Sequence, residues 1–421
     1  MGLKVQESKR IDGTVKAPPS KSYTHRAFIM SLLADGISTI NDPLYSEDTI
    51  ASLNSCKTLG SHVEQHDSYC KIHGVNGKPE TPENILDLKN SGTTLRIITS
   101  VASLTDGYTV LTGDDSLRNR PMQDLINALL PLGVSAISTR NNGKPPIIVK
   151  GGFNGGESFI NGNVSSQFIS SIIMAAPYAD NPVDLYVKGD FISKPYVDMT
   201  LNLMEKYDVK VNKDEKSFHI DPQNYKSTDY TVEGDYSSAS YLIAAAASLN
   251  SDLTIKNLIK DSKQGDKVIL DIVKNMGSDV KVKDNEVIIN GHGRLHGIEV
   301  NLKNAPDLLP TVAALGAMAE GTTKITGVEH ARFKETDRIH TCAIELAKLG
   351  VELREEEDGL TIIGGVHGGI VKSHMDHRLA MSFYIIGLKV GNIQIEDASV
   401  YNVSFPNFTE IIKKLTAGNG I

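Results

Sequence analysis

One phrase recurs six times along this chain: a helix of small residues, a tight polar turn, then a short run rich in β-formers. It reads "ADGISTI" at 34–40, "TDGYTVL" at 105–111, "ADNPVDLYV" at 179–187, "LNSDLTI" at 249–255, "AEGTTKI" at 319–325 and "KVGNIQI" at 389–395. Its anchors Asp35, Asp106, Asp180, Asn250, Glu320 and Val390 are 71, 74, 70, 70 and 70 residues apart. Helix–turn–strand junctions occur in any α/β protein, but five consecutive intervals that agree within a few residues mark a repeat. A second phrase, helix then Gly or Asp then strand, interleaves with it as "CKTLGSHVEQH", "LLPLGVSAIS", "MEKYDVKVN", "VKNMGSDVKV" and "LAKLGVELRE". Each unit thus carries two helices and several strands, more than a solenoid repeat, and predicts a closed assembly of αβ modules. Six units account for the 421 residues, enough for two domains that each bury a core.

Composition narrows the function classes. No apolar run approaches the roughly 18 residues of a membrane span, and "MGLKVQESKR" lacks the apolar centre of a signal peptide. Gln6 stands where a myristoylation signal needs Ser or Thr. Cys56, Cys70 and Cys342 have no metal-ligand spacing and read as reduced thiols of a cytoplasmic protein. A net charge of −8 argues against a nucleic-acid partner, so an anion site must gather its cations locally. The glycine pairs of "KGGFNGGES" and the prolines of "GKPETPEN" read as loops, and the former lack the spacing of a phosphate loop.

Cations gather where helices begin. "PPSKSYTHRAFIM" predicts a helix from Ser22, with Tyr23, Ala27, Met30 and Ala34 on one face and Lys21 and Arg26 at its start. The positive end of a helix dipole disfavours cations there by about 0.3–1 kcal/mol each, so an anion is expected to compensate. "NSGTTLR" starts a helix near Gly92 and carries Arg96. "LRNRPMQDL" sets Arg120 before Pro121, a favourable first helical residue, "KETDR" opens with Lys334 and Arg338, and "DHRLAM" opens with His377 and Arg378. "VSSQF" offers the uncharged donors Ser165, Ser166 and Gln167. Five starts with cations and one with a hydroxyl pair suggest N-termini converging on anions. Each motif also has a plainer reading. Ser165 and Ser166 serve as ordinary N-caps, Asp307 in "NAPDLLP" as another, and "KETDR" as a surface charge network. His374 and His377 in "SHMDHR" lack a third metal ligand, so no metal is expected and His377 reads as an acid/base or donor group.

The motifs "PSKSYTHRA", "NSGTTLR", "RNRPM", "VSSQF", "SKPYVD", "VEGDYSSASY", "PDLLP", "KETDR", "DHRLAM" and "VSFPNF" occur in this order from about residue 10 to 410. In this the chain resembles the 5-enolpyruvylshikimate-3-phosphate synthases, also called 3-phosphoshikimate 1-carboxyvinyltransferases. The resemblance implies a two-domain inside-out α/β barrel of six βαβαββ repeats, three per domain. Residues 1–19 with 234–421 would form one domain and 20–233 the other, with the active site in the cleft between them. The implied reaction moves the enolpyruvyl group of phosphoenolpyruvate to the 5-hydroxyl of shikimate 3-phosphate and releases phosphate, without metal or organic cofactor, in a cytoplasmic monomer. Its two substrates carry two phosphates and two carboxylates, and two unit charges 4 Å apart repel by about 4 kcal/mol at an effective dielectric of 20. A dense set of cations is needed to bring them together.

The same resemblance implies the roles. Lys21 contacts both substrates and takes part in proton transfer. Ser22 and Arg26 hold the shikimate carboxylate and ring, Ser165 and Ser166 the 3-phosphate, with Ser193 nearby, Tyr196 beside the ring and Gln167 between the ligands. Arg120, Arg338 and Arg378 clamp phosphoenolpyruvate with His377 beside them, and Gly92 lets the backbone approach it. Asp307 is the base facing the 5-hydroxyl, supported by Lys334, and Glu335 protonates the methylene carbon. Two departures stand out. Val403 in "YNVSFP" occupies the place of a common lysine, which implies weaker phosphoenolpyruvate binding, and His330 replaces a frequent Asn that contacts shikimate. Domain closure on shikimate 3-phosphate and binding of glyphosate, for which Gly92 leaves room, are further expectations. The rivals are the sister transferase acting on UDP-N-acetylglucosamine, whose usual loop cysteine is missing from "GDDSLRNRP", and a non-catalytic anion-binding relative.

Overall fold

The computed structural model of the chain describes residues 2–417. Its α-helices are α1 (Lys21–Leu33), α2 (Glu47–Thr58), α3 (Gly92–Val101), α4 (Gln123–Leu129), α5 (Ser166–Ala175), α6 (Lys194–Lys206), α7 (Tyr236–Ser248), α8 (Ile269–Asn275), α9 (Leu309–Met318), α10 (Arg338–Lys348), α11 (His377–Val390) and α12 (Phe408–Thr416). The chain divides into two compact units, residues 19–232 and residues 1–18 with 233–421.

Six small sheets carry the repeat, five of four strands and one of three. In the second sheet, Leu86–Asp87 runs parallel to Tyr108–Thr112 through the crossover α3, and Tyr108–Thr112 pairs antiparallel with Ile147–Lys150, which pairs in turn with Ser135–Ser138. That is one βαβαββ module, with α4 as its second helix. The third and fifth sheets repeat the same order. The first and fourth borrow a strand. Asp229–Thr231 pairs parallel with Ile37–Asn41, and Arg10–Lys16 pairs parallel with Asn250–Lys256. In the sixth sheet, Leu3–Val5 takes the antiparallel place beside Ile393–Glu396 that a hairpin fills elsewhere. The N-terminal strands therefore belong with the C-terminal half, and the chain leaves that unit near Pro18 and returns near Glu233.

Helices lie inside and sheets outside within each unit. Every residue of α7, "YSSASYLIAAAAS", is buried, and α3, α5, α9 and α11 are nearly as enclosed. A helix apolar or small on all sides is a core helix. The strands alternate as half-buried strands must. In Val183–Lys188 the residues Val183, Leu185 and Val187 face inward while Tyr186 and Lys188 are exposed. The helix predicted from Ser22 begins one residue earlier and is not amphipathic. Eleven of its thirteen residues are buried, so the single apolar face read from Tyr23, Ala27 and Met30 was too narrow, and Ala34 is its C-cap. The predicted loops are present, although "KGGFNGGES" enters a strand at Gly156.

Candidate active site

Four helix starts carry the predicted cations, not five. Pro121 does not open a helix: α4 begins at Gln123 with Met122 as its cap, and Arg120 closes a short 3₁₀ turn over Leu117–Asn119. Lys334 likewise precedes α10, whose first residue is Arg338. The first turns tell the rest. Helices α2, α4, α8 and α12 place Asp or Glu there, as the dipole favours. The enclosed helices α1, α3, α5, α7, α9 and α11 have no acid in their first turns. Asp235 and Asp376 cap α7 and α11, whereas α1, α3 and α5 have neutral serine caps and leave their positive ends open to another anion.

In the unit of residues 19–232, Ser20 caps α1, Ser91 caps α3 and Ser165 caps α5, each accepting a backbone N–H. Ser165 is thus an N-cap as its plainer reading had it, and Ser166 and Gln167 follow it as the first helical residues. Lys21 donates to Asp48 at 3.0 Å. Arg26 is 1% exposed, and its guanidinium donates to Thr200 Oγ1 (2.7 Å), Ser170 Oγ (3.5 Å) and the carbonyls of Ser22 (2.9 Å) and Tyr196 (3.1 Å). These partners are neutral, and burial lowers its pKa to about 10. The starts of α3 and α5 are tied together: Arg96 Nη1 donates to Gln167 Oε1 at 2.6 Å, and Gln167 Nε2 to Thr93 Oγ1 at 3.0 Å. Arg120 Nη2 donates to Asn90 Oδ1 at 2.8 Å, just ahead of Gly92, the first residue of α3. Ser193, with φ 52°, begins α6, and Tyr196 lies half-buried in its first turn.

In the other unit the charges interlock. Arg338 is also 1% exposed, which rules out the surface-network reading of "KETDR". Its fork donates to Asp307 (2.8 Å), Glu335 (2.5 Å) and the fully buried Asp376 (2.7 Å). Burial alone would depress this guanidinium, but the carboxylates of Asp376, Glu335 and Asp307 outweigh it and hold its pKa above the ordinary value. Arg378 donates to Asp307 Oδ2 at 2.9 Å and to Ser237 Oγ at 2.5 Å, joining the starts of α7 and α11. Asp307 lies in a 3₁₀ turn, Pro306–Leu308, and Leu308 is the cap of α9, so Asp307 is not the N-cap it resembled. Its carboxylate instead faces three cations, the third being Lys334 at 3.5 Å. His377 is the buried first residue of α11, whose cap is Asp376. His330 is buried near Lys334, and burial with that like charge lowers its pKa to about 4. His374 Nε2 pairs with Glu345 at 2.6 Å and joins no grouping of three metal-ligand side chains among the described residues.

Sequence reasoning missed four members. Asp376 is the first residue of the quoted "DHRLAM", and an Asp directly before an apolar helix is a cap signal. Ser237 and Asp48 carry no signal of their own. Asp266 is buried in the 3₁₀ turn Gly265–Val268, and burial with the nearby Asp307 charge raises its pKa to about 7. The sequence brings Lys21, Ser22, Arg26, Gly92, Arg120, Ser165, Ser166, Gln167, Ser193 and Tyr196 to one unit, and Asp307, His330, Lys334, Glu335, Arg338, His377 and Arg378 to the other.

The chain matches the model of the EPSP synthase (3-phosphoshikimate 1-carboxyvinyltransferase) family over residues 5–412. The 3-phosphoshikimate 1-carboxyvinyltransferase of Methanosphaera stadtmanae is 57% identical over 424 residues, covering 99% of this chain and 100% of that protein. That of Methanothermobacter thermautotrophicus is 58% identical over 410 residues, 97% of each chain. The solved EPSP synthase of Acinetobacter baumannii superposes with a TM-score of 0.82 at 27% identity, covering 98% of this chain and 97% of that one. A family model spanning nearly the whole length, and relatives this similar end to end, show that the chain belongs to the EPSP synthase family.

Proposed function

We propose that the chain catalyses transfer of the enolpyruvyl group from phosphoenolpyruvate to the 5-hydroxyl of shikimate 3-phosphate. The observation that carries this reading is the set of buried arginines at helix starts, with Asp307 and Glu335 bonded directly to them. Planar guanidinium forks suit carboxylate and phosphate. Phosphoenolpyruvate carries both groups, and on this reading Arg120, Arg338 and Arg378 hold it, with Gly92 and His377 beside it. Shikimate 3-phosphate lies against Lys21, Ser22, Arg26, Ser165, Ser166, Ser193 and Tyr196, with His330 at its edge and Gln167 between the ligands.

The chemistry follows from the acids. Glu335, a carboxylate against Arg338 in the free protein, takes a proton from solvent as phosphoenolpyruvate draws that guanidinium away and delivers it to the methylene carbon, which makes the neighbouring carbon electrophilic. The 5-hydroxyl oxygen bonds to that carbon as its proton passes to Asp307, with Lys21 beside it as a proton donor. Loss of phosphate from the tetrahedral adduct, with return of the methyl proton to Glu335, regenerates the double bond and yields the enol ether. A positioned acid or base is typically worth about 10²–10⁴-fold. Asp307 starts bound to Arg338, Arg378 and Lys334. A substrate carboxylate that takes the fork of Arg378 releases one oxygen of Asp307 and raises its basicity.

No residue calls for a metal or an organic cofactor in this scheme. We read the protein as a cytoplasmic monomer without nucleic-acid partners, and among the described residues no helix is long and apolar enough to cross a membrane. A phosphate-release assay with phosphoenolpyruvate and either acceptor decides the substrate. Phosphate is expected with shikimate 3-phosphate and not with UDP-N-acetylglucosamine. The reverse would establish the sister activity, and no release with either would leave an anion-binding relative.

A further inference from the structure

On the first sheet, a hairpin that begins in the phrase "CKTLGSHVEQH" collects metal-binding side chains. Val63–Gln65 is the edge strand and pairs antiparallel with Tyr69–His73. The register sets Val63 opposite Ile72, and the bond from His73 N to His62 O (3.0 Å) extends it so that His62 faces His73. Side chains two apart share a face, and residues opposite each other share it too. His62, Glu64 and His73 therefore project together. Their imidazoles meet edge to face with centroids 4.9 Å apart, and His73 Nε2 lies 3.2 Å from Glu64 Oε1. One ligand atom from each of the three lies within 4.8 Å of the other two.

We propose that His62, Glu64 and His73 form a surface site for a divalent transition metal of the zinc class, clamping the edge strand to its neighbour. Metal–ligand bonds of about 2.0–2.1 Å in a tetrahedron put ligand atoms roughly 3.4 Å apart, and the Glu64–His73 separation of 3.2 Å already matches. His62 needs only a small side-chain rotation, because all three side chains are at least partly exposed and free to adjust. Two imidazoles and one carboxylate select zinc, copper or nickel over magnesium and calcium, which prefer oxygen donors. Three protein ligands leave a fourth position for water. Lys71 stands opposite Glu64 on the same face and is a repulsive charge beside the site. Its long, flexible stem lets the ammonium turn to solvent. His66 does not take part, since its ring stacks on Tyr69 at 4.3 Å.

The test is calorimetric titration of the full chain with ZnCl₂, run beside His62→Ala, His73→Ala and, as a control, His66→Ala. Expected is one saturable equivalent for the parent and for His66→Ala. Losing either ligand should weaken uptake by more than the about 10–100-fold that outer-shell losses bring. Melting curves without metal show whether the variants fold, and added zinc should raise the melting temperature of the parent and not of His62→Ala or His73→Ala. Excess MgCl₂ should not displace the zinc. Absence of saturable uptake by the parent, or uptake by both ligand variants equal to the parent's, would overturn the proposal.

Discussion

Gly92→Ala isolates the geometry on which phosphoenolpyruvate binding is proposed to depend. Gly92 is the first residue of α3, and a Cβ built there falls inside the 3.0 Å closest approach to Arg120 Nη1, while Arg120 Cζ and Cδ stand at 3.4 and 3.5 Å. Only the tip of the fork must therefore move, by roughly half to one ångström. A displacement near 1 Å at a positioning group can cost about 100-fold in rate. Arg120 also has a bond to Asn90 at 2.8 Å to lose, so kcat/KM for phosphoenolpyruvate is expected to fall about 10–100-fold, or about 1.4–2.7 kcal/mol. The fold should survive, because Ala is a better helix former than Gly by about 1 kcal/mol. Steady-state phosphate release with phosphoenolpyruvate varied, at saturating shikimate 3-phosphate, gives the number. The decisive control is a double-mutant cycle with Arg120→Ala. If the alanine acts by pushing Arg120, it should cost almost nothing once Arg120 is gone. Additive losses would refute the reasoning, as would an unchanged kcat/KM in the single variant. Inhibition by glyphosate, expected to weaken more than substrate binding, is a second readout, and equal losses would remove Gly92 as the discriminating position.

Other expectations follow from the interlocked unit. Asp376→Asn keeps a side-chain cap for α11 but removes the buried charge facing Arg338. Breaking buried pairs costs about 3–5 kcal/mol, and the lower end is expected because Asp307 and Glu335 remain, as urea unfolding would show. A change within about 0.5 kcal/mol would mean that Asp376 does not hold Arg338. His330, held neutral with its pKa lowered to about 4, contributes stability present above the unfolded value of about 6.5 and lost as pH falls toward 4. His330→Gln should remove on the order of 3 kcal/mol of that acid sensitivity, and parallel stability curves for the two proteins would contradict it. Val403 ends the 3₁₀ turn Ala398–Val403, and Val403→Lys should tighten phosphoenolpyruvate binding. An unchanged apparent affinity would show that the substitution is not what weakens it.

The repeat was legible because each module returns to the same small-residue helix and polar turn, and six copies of that phrase fall at the ends of six enclosed helices. What the sequence hid was the direction of burial. Tyr23, Ala27 and Met30 look like one apolar stripe, yet His25, Arg26 and Ser31 on the other side are equally enclosed, because Ser52, Thr200 and Tyr207 from neighbouring segments supply hydroxyls for them. Polar satisfaction by distant residues leaves no local pattern. The cations were legible as a group, since Lys and Arg conflict with a helix N-terminus wherever they stand. Their partners were less so. Asp376, Ser237 and Asp266 look like ordinary caps and turn residues until the fold brings Arg338 and Arg378 to them. Arg120 misled for a local reason: Pro121 is permitted at a helix start but does not require one, and the chain makes a 3₁₀ turn first.

Cations at and beside several helix starts are proposed to grip the two acidic substrates. A crystal structure of the chain soaked with shikimate 3-phosphate and phosphoenolpyruvate tests it most directly. Phosphate and carboxylate oxygens within hydrogen-bond distance of Lys21, Arg120, Arg338 and Arg378 are the predicted result. Ligands bound elsewhere, with Arg338 and Arg378 still held by Asp307 and remote from any substrate oxygen, would contradict it.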